Sequence, residues 1–122
     1  QELFSASIKS PAIIATTSGN DISTFLLEIS DNLKCLKGHF EKFPLVPGVA
    51  QLEWAIDIGL NHFGIEKRRF SSMEQVKFRD FLKPSQIIEL EITRNAENNS
   101  LKFKYLQGDS IFSTGTIKFH KD

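Results

Sequence analysis

The chain has only one cysteine, one methionine, one tryptophan and one tyrosine among 122 residues. A single thiol, Cys35, excludes a disulfide within the chain and fits a reducing setting. No neighbouring group is placed to activate it, so it reads as a small buried residue. No Cys/His cluster has the spacing of a zinc site. An excess of one charge is also missing. The 15 basic and 15 acidic residues leave a formal net charge of +0, whereas a nucleic-acid partner usually calls for a basic surplus. No apolar run approaches the roughly 20 residues a membrane helix needs, and no secretory leader pattern is visible. The expectation is a cytoplasmic protein with neither nucleic acid nor membrane as partner. Repeats, low-complexity tracts and linkers are absent, so residues 1–122 are read as one domain.

Apolar residues make up 40% of the chain, charged residues 25%, and there are 11 phenylalanines. That composition suits a well-filled core, an apolar pocket or an interface. Residues 11–17 and 22–30 read as two strands joined by the turn Ser18-Gly19-Asn20-Asp21. In the second strand Phe25, Leu27 and Ile29 form one face. Residues 31–47 read as an irregular, functional loop. From Gly48 to Phe63 the period changes to that of a helix, with Val49, Leu52, Ile56, Leu60 and Phe63 as its apolar stripe, widened by Ala55 and Gly59. Ala50, Trp54 and Ile58 add apolar surface elsewhere, which predicts a helix buried on most sides. Gly64 is a stop signal.

The period then returns to two. Met73, Gln75, Lys77 and Arg79 alternate with Val76 and Phe78, and Pro84 marks a break. Ile88, Leu90 and Ile92 form the inward face of a fourth strand; Leu101, Phe103 and Tyr105 do the same in a fifth. A turn at Gln107-Gly108-Asp109-Ser110 leads to a last strand over 111–119. Two strands, one nearly all-apolar helix and four more strands predict an α+β fold, with a six-stranded antiparallel sheet curved around a central helix.

The chemistry concentrates between Lys37 and Phe63. His39 lies in the loop, Pro44 and Pro47 stiffen the approach to the helix, Gly48 opens the helix, and Glu53 lies at the edge of its apolar stripe. A histidine titrates near neutral pH and suits a general base. A carboxyl against an apolar surface loses water, which favours its neutral form and suits an acid. The unpaired N–H groups of a helix start carry positive partial charge, and glycine there admits a close ligand.

These residues resemble a known motif. The run His39-Phe40-Glu41-Lys42-Phe43-Pro44-Leu45-Val46-Pro47-Gly48-Val49-Ala50-Gln51-Leu52-Glu53 is similar to H-F-P-G-x-P-x-x-P-G-V-x-x-x-E. That pattern marks the hotdog-fold 3-hydroxyacyl-[acyl-carrier-protein] dehydratases of fatty acid synthesis. Val76 to Pro84 resembles the same family's strand and its proline turn. The version Val46-Pro47-Gly48-Val49-Ala50-Gln51-Leu52 looks like the branch serving aryl-polyene pathways.

The resemblance implies a hotdog fold and a lyase acting on a 3-hydroxyacyl thioester of acyl carrier protein. His39 would remove the α-proton and Glu53 would protonate the leaving 3-hydroxyl. The N–H at Gly48 would bind the thioester oxygen, with Val49, Phe40 and Pro47 lining the substrate. It also implies a homodimer, which can assemble further, with His and acid supplied by different subunits. It implies no metal or redox cofactor, because the phosphopantetheine arm arrives with the substrate.

Glu41-Lys42 departs from the family's Pro-Gly, and Asp57 stands where many members have glutamine. Rival readings are a hotdog thioesterase and a non-catalytic acyl-binding partner subunit. Asp57 reads as a polar partner, and His62 as a complement to the helix dipole. Glu66-Lys67-Arg68-Arg69 reads as a solvated turn, with docking of an acidic carrier protein as the alternative, shared by Arg79 and Lys83. Phe40, Phe43, Phe78 and Phe81 read as core, some of them lining an acyl tunnel.

Overall fold

A computed structural model describes residues 10–30, 46–83 and 86–121. It contains β1 (Ala12–Ser18), β2 (Ile22–Ile29), α1 (Gly48–His62), a 3-10 turn (Lys67–Arg69), β3 (Phe70–Phe78), β4 (Gln86–Asn95), β5 (Ser100–Gln107) and β6 (Ser110–Phe119). The strands form one sheet in the order β1-β2-β4-β5-β6-β3, with every neighbouring pair antiparallel. All six expected strands and the helix are present. Pro84 and most of the irregular loop lie outside the described residues.

Alternation built the inner face as expected. Phe25, Leu27 and Ile29 from β2, Ile88, Leu90 and Ile92 from β4, and Leu101, Phe103 and Tyr105 from β5 are all buried. Turn chemistry fixes the register between them. Gly108 takes φ 59 and Asn99 φ 52, left-handed values that glycine and asparagine tolerate best. Gly64, with φ 67, ends the helix as its neighbour Ile65 donates its N–H back to the Leu60 carbonyl at 2.8 Å.

Two expectations need correction. The first concerns the head of the α1 stripe. The buried residues of the helix are Gln51, Trp54, Ala55, Gly59 and Leu60, so the expected stripe meets the core through Ala55, Gly59 and Leu60. Leu52 and Ile56 pack against the core half-buried, whereas Val49 at the head of the stripe is 77% exposed. The sheet takes the arc with the small residues, which permit close approach. A Cβ on Gly59 would lie 3.0 Å from Leu101 Cδ1 and 3.2 Å from Ile92 Cδ1.

The second correction concerns β3. Its even alternation breaks at an irregularity between Glu74 and Lys77, where Gln75 takes φ 54. Such a bulge turns the side chains beyond it. Phe78 consequently emerges 53% exposed instead of entering the core; Phe81, beyond the strand end, is 68% exposed.

Candidate active site

The start of α1 is held from three directions. Val46 donates its N–H to the Leu82 carbonyl at 2.7 Å. The N–H groups of Ala50 and Gln51 share the Pro47 carbonyl at 3.1 and 3.3 Å. Behind them, the Gln51 side chain is buried and donates from Nε2 to the Val46 carbonyl at 3.3 Å. Pro47 offers no side-chain cap, and the first helical turn contains no acidic residue. Among the described residues, nothing accepts a hydrogen bond from the N–H of Gly48 or Val49. Among the described residues nothing compensates the positive end of the helix dipole, which suits an incoming anion or developing oxyanion.

The Phe78 ring closes one side of this turn. A Cβ on Gly48 would lie 2.6 Å from Phe78 Cζ, so any other residue there would push the ring aside. The backbone after Phe78 is clamped, because Arg79 and Asp80 both donate N–H to the Phe112 carbonyl at 2.9 and 3.3 Å. Together Gly48, Val49, Leu52, Phe78 and Phe81 border a cavity of about 490 Å³. Arg79 and Asp80 also line it, so the cavity joins apolar walls to charged groups.

Glu53 stands on the helix one turn beyond this point. It is exposed and lies four residues after Val49, the exposed head of the apolar stripe, and three before Ile56. Within one chain water reaches the carboxyl. His39 and Phe40 lie outside the described residues, as do Cys35, Phe43, Glu41 and Lys42. The structure therefore brings Pro47, Gly48, Val49 and Glu53 together at one helix end, without reaching the candidate base.

The secondary candidates take structural roles. Asp57 pairs with Lys67 at 3.0 Å, and this hydrogen bond, more than its Coulomb attraction, holds the Lys67 amine above its ordinary value. His62 Nε2 is hydrogen-bonded to the buried Ser23 Oγ at 2.9 Å. Its ring meets Phe25 and Phe63 edge-on, at 5.0 and 4.9 Å, tying the end of α1 to β2. Arg68 pairs with Glu66 at 2.9 Å, and Arg69 Nε donates to the His120 carbonyl at 2.8 Å. The basic run is thus an exposed turn whose charges already have partners in the chain.

Sequence reasoning passed over a buried polar network. Gln51 Oε1 accepts from Ser113 Oγ at 2.7 Å, and its backbone carbonyl accepts from the Tyr105 hydroxyl at 2.7 Å. The available signal was a lone glutamine in the same helical arc as Trp54, Ala55 and Gly59. Burial pushes the Tyr105 hydroxyl well above its ordinary value. An unfolded tyrosine ionises near about pH 10, so this burial stabilises the fold fully below that pH. The contribution is lost as pH rises toward the higher folded value. Tyr105 is the sole tyrosine. In an alkaline titration, phenolate absorbance should therefore appear only together with loss of circular dichroism; phenolate in the intact fold would contradict this.

Known proteins share both this sequence pattern and this geometry. Residues 15–116 match the sequence model of the ApeI-like family, described as ApeI dehydratase. The chain belongs to the ApeI-like dehydratase family. This is the aryl-polyene branch that the motif at Val46 to Leu52 resembled. The chain is 27% identical over 100 residues to the 3-hydroxyacyl-[acyl-carrier-protein] dehydratase FabZ of Natranaerobius thermophilus, covering 75% of this chain and 70% of that one. A solved structure, the dehydratase heterocomplex ApeI:P from Xenorhabdus doucetiae, superposes with a TM-score of 0.79 at 30% identity. It covers 92% of this chain and 99% of that one. Zebra fish thioesterase superfamily member 2 shares the fold with a TM-score of 0.64, at 9% identity over 86% of this chain and 78% of that one. The six-stranded sheet with one helix is thus the hotdog fold of this dehydratase family. Among the described residues no helix is long and apolar enough to cross a membrane.

Proposed function

We propose that this chain dehydrates a 3-hydroxyacyl thioester carried on acyl carrier protein, giving the trans-2-enoyl thioester and water. One observation carries the reading: Glu53 stands one turn into a helix whose start has no side-chain cap and whose first turn borders a cavity. His39 takes the α-proton, and charge develops on the thioester oxygen. The Gly48 N–H, aimed along the uncompensated dipole, stabilises that charge as it forms. Glu53 gives its proton to the departing 3-hydroxyl. The acyl chain lies along Val49 and the phenylalanines of the cavity, with Pro47 and Phe40 beside it. The elimination is redox-neutral, and the phosphopantetheine arm is part of the substrate, so this scheme calls on no redox cofactor.

A second copy of the chain covers the stripe in this reading. It allows the base and acid of one site to come from different subunits.

The test is incubation with a panel of 3-hydroxyacyl carrier-protein substrates, with the products read by mass spectrometry. Loss of one water with the thioester intact is the expected result. Release of free thiol would instead identify a thioesterase. No turnover at any chain length would leave the acyl-binding subunit as the surviving alternative.

A further inference from the structure

Gln51 occupies a position where an apolar side chain would serve the core as well. It lies in the same arc as Trp54, Ala55 and Gly59, it is buried, and it faces β5 and β6. Burying a carboxamide and a hydroxyl costs desolvation that their hydrogen bonds only about offset. An apolar pair of the same volume would be no less stable. The polar pair must therefore supply something that an apolar pair would not.

The connections show what that is. Ser113 Oγ, on the sheet, donates to Gln51 Oε1 at 2.7 Å. This orients the carboxamide so that Nε2 points to the Val46 carbonyl at 3.3 Å. The Tyr105 hydroxyl fixes the Gln51 main chain from a second strand. Val46 is thereby gripped at both its carbonyl and its N–H, the latter bound to Leu82. The two residues after Val46 are Pro47 and Gly48, whose orientation decides where the free N–H groups of the helix start point. Neither a side-chain cap nor an acidic residue in the first turn holds them.

We infer that Gln51 is a positioning residue, which with Ser113 transmits the rigidity of β6 to the Val46–Gly48 turn and aims the Gly48 N–H at the reacting carbonyl. This inference rests on the proposed dehydration. An oxyanion donor displaced by about 1 Å loses roughly a hundredfold in rate, so the tether should act on kcat with little effect on KM.

Three variants test it. Gln51→Met keeps the volume and removes both side-chain hydrogen bonds. It should lower kcat roughly 10- to 100-fold with KM nearly unchanged. Ser113→Ala, the milder change, should move kcat in the same direction. Gln51→Glu separates positioning from packing. Its protonated carboxyl can donate to the Val46 carbonyl, whereas its ionised form cannot. The ratio of variant to wild-type kcat should therefore rise as pH falls.

Wild-type kcat in folded Gln51→Met, or a pH-independent ratio for Gln51→Glu, would overturn the inference. If Gln51→Met does not fold, Ser113→Ala and Gln51→Glu carry the test. Should the wild type itself show no dehydration, the proposed function falls and the tether is judged by hydrogen exchange in Ser113→Ala. Faster exchange at the Val46 and Ala50 amides supports it, and unchanged exchange refutes it.

Discussion

Glu53→Gln should lower kcat for dehydration by roughly 10²- to 10⁴-fold while leaving the fold intact. The carboxamide keeps the shape and hydrogen-bonding reach of the acid but has no proton to give a departing hydroxyl. Because Glu53 is exposed in the single chain and outside every described hydrogen bond and ion pair, the change should alter stability by no more than about 0.5 kcal/mol. His39→Ala should cost a similar factor. The double variant should cost far less than the product of the two, since base and acid serve one transition state. Steady-state kinetics with thermal melts as control check this. A Glu53→Gln protein within a few fold of wild type would remove Glu53 from the chemistry, even if dehydration itself were confirmed.

Val49→Asp should convert a dimer into a monomer and abolish activity together. Val49 is 77% exposed in the single chain, so an aspartate there is solvated and nearly neutral for folding. Laid against a second subunit, the same carboxylate would be stripped of water without a partner, at a cost of several kcal/mol. Light scattering should show wild type at twice the 13.8 kDa chain mass and the variant at that mass. A variant that stays dimeric and active would place the covering surface elsewhere. A wild type that is monomeric would discard the homodimer and leave Glu53 to be covered by a different chain.

The strands were legible because one side of the sheet is dry. Where a single face is buried, alternation is enforced residue by residue, as at Phe25, Leu27 and Ile29 or Leu101, Phe103 and Tyr105. The turns were legible at Gly64 and Gly108, which carry backbone conformations few other residues accept. At β3 this legibility failed. It is an edge strand, its inward demand is weaker, and a bulge at Gln75 reversed the expected sense of Phe78.

The helix shows the same limit. Its length and its stop at Gly64 could be read directly, as could the register of Gly48 with Glu53. How far the stripe is buried could not. Ala55, Gly59 and Leu60 are covered where the backbone approaches Leu101 and Ile92 closely, whereas Val49 at the head of the stripe is left exposed.

By itself, then, the order of residues determined the six strands, the single helix, the motif from His39 to Glu53 and the family these imply. Those are local patterns, written in spacing and turn chemistry. Only the tertiary structure decided that Glu53 lies on the solvent side of α1, that Phe78 closes over Gly48, and that Gln51 ties the helix start to Ser113 and Tyr105. Each of these depends on contacts between residues 30 to 62 positions apart, which no local period encodes.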